Sequence, residues 1–215
     1  MRIKVCGMRD PENIRAVEEK VRPDMMGFIF WKGSKRYVSE VPSYLPECTR
    51  VGVFVNPTEE EVLQKATDFG LNAIQLHGQE TPDFCQRIKQ ATRLPLIKAI
   101  SIGEGDSSRF AIHSSLYEEV ADLFLFDTKC KCVGGSGEQF NWDILQHYEG
   151  DTPFLLSGGI GPGDEEKVRR WRHPRWVGID LNSRFETAPA YKDAEALTSF
   201  TRSLSPTLSP KAMEK

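Results

Sequence analysis

Cys6 and Asp127 are the side chains best suited to moving protons, and each closes a short apolar run, Ile3–Cys6 and Leu123–Asp127. A thiolate can take a proton from carbon, and a carboxyl group can deliver one to an oxygen. The blander alternatives are a small buried core residue for Cys6 and a helix cap or salt-bridge partner for Asp127. If both project into one mouth, they form an acid/base pair on opposite sides of a bound substrate.

Other polar residues follow similar runs. Arg36 sits in a basic loop with Lys32, Gly33 and Lys35. A guanidinium can grip a carboxylate through two parallel hydrogen bonds, whereas Lys32 and Lys35 read as solvated charges. His77 closes the run Ala73–Leu76 and either meets a substrate or satisfies a backbone carbonyl. Lys98 is either a Schiff-base lysine or part of a charged layer, and the sequence leaves both open.

Gly134 and Gly135, Gly158 and Gly159, and Asn182 with Ser183 mark small loops after later runs. Glycine lets backbone N–H groups approach an anion, so these loops are candidate phosphate ligands; the alternative is that they make tight turns. Cys130 and Cys132 form one C-x-C pair. Structural zinc wants four ligands, so no metal is expected.

The elements that must position these residues recur along the chain. Apolar runs occupy Ile3–Cys6, Met25–Phe30, Val51–Val55, Ala73–Leu76, Leu96–Ile100, Leu123–Asp127, Phe154–Ser157 and Trp176–Asp180. Their unbroken apolar character predicts buried parallel strands. Helix starts are written at Asp10-Pro11, Thr58-Glu59-Glu60-Glu61 and Thr81-Pro82. Trp142, Leu145 and Tyr148 predict a further helix, and Ala194, Leu197 and Phe200 a last one. Glu40–Thr49 supports at best a short helix, and periodicity is patchy over Gly103–Glu119. Eight strand–helix units without a GxGxxG after the first strand predict an α/β chain folded as a single (β/α)8 TIM barrel over residues 1–203, with a frayed tail at 204–215. Active sites of such barrels lie at the carboxyl ends of the strands, and phosphate sites after strands seven and eight.

Composition narrows the function classes. The 215 residues carry a formal charge of −3, with 39% hydrophobic and 27% charged residues. No basic run points to nucleic acid, and no apolar stretch of 18 residues points to a membrane. Five cysteines at irregular spacing suit reduced thiols and a cytoplasmic location.

Six segments together resemble the phosphoribosylanthranilate isomerase family. They are Lys4–Met8, Gly27–Phe30 through Ser34–Tyr37, Val51–Asn56, Gln75–Gly78, Asp127–Lys129 through Gly134–Gly137, and Leu156–Gly159. The resemblance runs from about Met1 to about Phe200 and implies an Amadori rearrangement of N-(5-phosphoribosyl)anthranilate. It implies Asp127 as the general acid at the ring oxygen and Cys6 as the base at sugar C2. It also implies Arg36 on the anthranilate carboxylate, the glycine loops on the phosphate, and no cofactor. Arg184 stands where the family usually has glycine in the last loop. Three rivals share the scaffold. A histidine-pathway aldose–ketose isomerase would want an aspartate on the first strand. Indole-glycerol-phosphate synthase would need a lysine and glutamates at strand ends. A phosphate-ligand-binding barrel without catalysis would need neither Cys6 nor Asp127.

Overall fold

The computed structural model describes residues 1–102, 114–128 and 141–204. Eight parallel strands close into a barrel in chain order: β1 (Arg2–Cys6), β2 (Met25–Ile29), β3 (Thr49–Phe54), β4 (Ala73–Leu76), β5 (Leu96–Ile102), β6 (Leu123–Thr128), β7 (Phe154–Leu156) and β8 (Trp176–Leu181). Each expected run forms a strand, with no end shifted by more than two residues. The seam pairs β1 with β8, Lys4 opposite Asp180.

Strand side chains alternate between two cores. Inward residues such as Val51, Val53, Ile97, Leu125 and Leu155 fill the barrel, with Cys6 among them. Outward residues such as Val5, Phe28, Phe124 and Phe154 pack under the helices with Ile14, Ile88 and Leu197.

The helices start where their caps are written. Asp10 accepts from the Asn13 amide before α1 (Pro11–Val21), and Thr81 does the same for α3 (Pro82–Thr92). Thr58 and Glu61 form a reciprocal capping box on α2 (Glu59–Asp68). These side chains satisfy amides that the first helical turn leaves unpaired. A short α4 (Glu165–Arg170) follows β7, and α5 (Ala194–Leu204) closes the described chain.

Four features differ from expectation. Trp142–His147 is a 3-10 turn rather than an α-helix, capped by Asn141. Residues 40–48 contain no helix, as two prolines in so short a stretch dictate. The helix α4 was not anticipated, because only Val168 in it is buried. Neither was the small antiparallel pair β9 (Glu186–Ala188) and β10 (Tyr191–Lys192). Asn13 on α1 holds this pair down: its amide donates to the Lys192 carbonyl and its oxygen accepts from the Lys192 amide, both at 2.8 Å. Residues 205–215, nearly all of the expected tail, lie outside the described residues.

Candidate active site

Alternation along β1 turns Lys4 and Cys6 to the same inner face, one above the other. Lys4 is fully buried, and its ammonium meets the Asp180 carboxylate at 2.8 Å across the seam. Ser157 donates to the other Asp180 oxygen at 3.3 Å. Above this charged floor lies the Cys6 thiol. A Cβ on Gly27 would come within 2.7 Å of its sulfur, so the glycine on β2 makes room for it. Burial pushes the thiol above its ordinary pKa; Lys4 pulls it down, Asp180 pushes it up and Lys192 pulls it down, and burial prevails.

The next residue, Gly7, turns into the left-handed region at φ 77°. A Cβ there would meet Arg36 Cδ at 2.6 Å and Asn182 Oδ1 at 2.9 Å. Arg36 therefore lies across the end of β1, beside Cys6. Its Nε and Nη2 donate to the two Glu186 oxygens at 2.7 and 2.6 Å. Lys192 donates to Glu186 Oε1 at 2.5 Å and to Asn182 Oδ1 at 2.8 Å. Burial alone would raise the Glu186 pKa, but the Arg36 hydrogen bond and the Lys192 charge outweigh it and hold the carboxyl below its ordinary value.

On the other side of the mouth, His77 Nε2 lies 3.3 Å from Asp127 Oδ2, reaching over β5. Gln75 Nε2 lies 3.1 Å from His77 Nδ1. The loop carrying His77 is held from beneath. Lys98 donates to the carbonyls of Leu76 and Gly78 and to Glu80 at 2.9 Å. Glu80 in turn accepts from the Asn56 and Gly78 amides. Lys98 is thus a charged-layer residue with its donors committed, which answers the alternative left open by the sequence.

Gly158 and Gly159 adopt φ 92° and 65° after β7, a left-handed backbone that glycine takes up without strain. Asn182 and Ser183 follow β8 and open a 3-10 turn. The Arg184 stem packs on the glycine loop: a Cβ on Gly161 would lie 2.7 Å from Arg184 Cβ and 3.0 Å from its Nε. Gly134, Gly135, Cys130 and Cys132 fall outside the described residues. Among the described residues no group of three or more His, Cys, Asp or Glu is placed to hold a metal ion.

The barrel therefore brings Cys6, Arg36 and Asn182 together on one side, and His77 with Asp127 on another. Sequence reasoning missed Lys4, Asp180, Glu186 and Lys192. A lysine interrupting the apolar run Ile3-Lys4-Val5 was a usable signal, since a charge inside a buried strand demands a partner. Glu186 and Lys192 gave none, because they lie in a polar stretch that reads as loop.

The family model for N-(5'-phosphoribosyl)anthranilate (PRA) isomerase matches residues 3–203. An N-(5'-phosphoribosyl)anthranilate isomerase from Phocaeicola vulgatus is 55% identical over 205 residues, covering 95% of this chain and 98% of the relative. The solved phosphoribosyl anthranilate isomerase from Thermotoga maritima is 31% identical, with a TM-score of 0.77 and coverage of 95% and 98%. A phosphoribosyl anthranilate isomerase in complex with reduced 1-(o-carboxyphenylamino)-1-deoxyribulose 5-phosphate matches at 29% identity and a TM-score of 0.74, with the same coverage. With the family model spanning the whole barrel and a relative this similar over its full length, the chain belongs to the N-(5'-phosphoribosyl)anthranilate isomerase family.

Proposed function

We propose that this protein converts N-(5-phosphoribosyl)anthranilate to 1-(2-carboxyphenylamino)-1-deoxyribulose 5-phosphate, a step of tryptophan biosynthesis. The observation that carries the reading is the placement of Cys6 beside Arg36, with the His77–Asp127 pair on the other side of the mouth. Asp127 gives its proton to the furanose oxygen as the bond from that oxygen to C1 breaks. The nitrogen lone pair forms the Schiff base. Cys6, as thiolate, then removes the proton from C2. The electron pair of that bond makes the C1–C2 double bond, and the C=N pair returns to nitrogen. The enolamine tautomerises to the ketone. Carbon C1 is reduced and C2 oxidised within one molecule, so the reaction needs no external redox partner.

His77 orients the Asp127 carboxyl. Arg36 holds the anthranilate carboxylate, and the N–H groups around Gly158, Gly159, Asn182 and Ser183 hold the phosphate, joined by Gly134 and Gly135. Lys4 and Lys192 favour the thiolate against its burial. The Schiff base adds positive charge next to the proton being removed, when it is most useful. The described cysteines Cys6, Cys48 and Cys85 are all free thiols, which suits a reducing compartment, and the proposed location is the cytoplasm.

The test is the loss of anthranilate-derivative fluorescence on adding phosphoribosylanthranilate, with EDTA present. Turnover is expected for the wild type, with a drop of at least about 10²-fold in Cys6→Ser and in Asp127→Asn. No turnover by the wild type would overturn the assignment.

A further inference from the structure

Glu186 makes the side-on bidentate pair with Arg36, using Nε and Nη2. That geometry fixes the plane of the guanidinium. It leaves the end-on edge, formed by Nη1 and the second Nη2 hydrogen, with no partner among the described residues. Both side chains are largely buried, 12% exposed for Arg36 and 6% for Glu186. Glu186 is itself braced: its Oε1 also accepts from Lys192 at 2.5 Å and from the Ala190 amide at 3.2 Å. Lys192 is pinned by Asn13 through its backbone and by Asn182 through its ammonium. A carboxylate with this many donors is part of the frame, not a placeholder that a substrate would displace.

We propose that Glu186, backed by Lys192, is a positioning residue that presents the end-on edge of Arg36 to the carboxylate of the substrate. The inference rests on the proposed isomerase reading. Two cations against one carboxylate leave one unit of positive charge, which matches the single carboxylate of an anthranilate ring. The device thus selects substrates whose aromatic amine carries an ortho carboxylate.

The experiment compares kcat/KM for phosphoribosylanthranilate with that for its carboxylate-free counterpart, N-(5-phosphoribosyl)aniline. It uses wild type, Glu186→Gln, Glu186→Asp, Arg36→Ala and the Arg36→Ala/Glu186→Gln double variant, with folding checked by circular dichroism. The preference for the carboxylated substrate is expected to fall by about tenfold or more in Glu186→Gln, chiefly through KM. Glu186→Asp, which keeps the charge but shortens the reach, is expected to retain part of the preference. The double variant is expected to lose no more preference than Arg36→Ala alone. An unchanged preference in folded Glu186→Gln and Glu186→Asp would overturn the proposal, as would a rise, which would mean that Glu186 competes with substrate. Wild type that turns over both compounds equally would instead remove the role of Arg36 on which the inference stands. No turnover of either compound would remove the isomerase reading itself.

Discussion

Because burial prevails over the two lysines near Cys6, the resting side chain is the thiol. A raised thiol pKa means that the base form is scarce at neutral pH and grows about tenfold for each unit the pH rises while it is still below that pKa. Since kcat/KM also needs the proton on Asp127, it is the thiolate fraction of Cys6, not the rate, that is expected to climb with pH through the neutral and mildly alkaline range. Alkylation of Cys6 by iodoacetamide, followed by peptide mapping, is expected to climb in step. A Lys192→Met variant removes a charge that favours thiolate, so its curve is expected to shift to higher pH. A flat profile for Cys6 alkylation would contradict the burial argument. Gly7 is the second residue with a sharp expectation. Alanine there would pay for a left-handed backbone, about 1–2 kcal/mol, and its Cβ would push against Arg36 and Asn182. Denaturant unfolding should show that loss, and KM for the carboxylated substrate should rise with it. The placement of Cys6, Arg36, His77 and Asp127 at the barrel mouth was legible because each follows or closes an apolar run. Their supports were not: Lys4 and Asp180 find each other only when β1 and β8 meet.

At the scale of elements, the strands and four of the helices were readable because their signals are local: an apolar run, a capping side chain, a proline at the first turn or, for α5, apolar residues at helical spacing. Helix α4 and the pair β9–β10 lacked such signals, since they are short and their positions are fixed by neighbours. Asn13, for example, read as an ordinary helical residue, yet its side chain stands in for a strand partner to Lys192. The interior pair Lys98–Glu80 shows the same dependence on tertiary context. Both side chains are almost fully buried, and together they brace the loop that carries His77. Lys98→Met is expected to destabilise the fold by about 3–5 kcal/mol, because it strands the Glu80 carboxylate without a counter-charge. Thermal and urea unfolding would check this. A small loss would mean that Glu80 takes up a proton or reaches water.

At the scale of the whole molecule, closure is the decisive event, and it depends on the seam. Gly178 on β8 faces Arg2 on β1 so closely that a Cβ would fall 2.1 Å from the Arg2 carbonyl oxygen. The neighbour is backbone and cannot swing aside. Gly178→Ala is expected to lower stability by about 2 kcal/mol or more and to lower activity along with it, since Lys4, Cys6 and Asp180 all border that seam. A variant with an unchanged unfolding midpoint would refute the tightness of the junction.

The seam also sets a clock. Cys6 is made well before the cation that favours its thiolate and the carboxylate that steadies Arg36, which lie 186 and 180 residues further along the chain at Lys192 and Glu186. At synthesis rates of about 5–20 residues per second, about 10–40 s pass between them. Until then the growing chain holds a thiol without its second lysine and an arginine without its brace. Chains that end before β8 cannot close the seam and should consequently be silent, so activity in a cell extract should report chains translated at least through that strand.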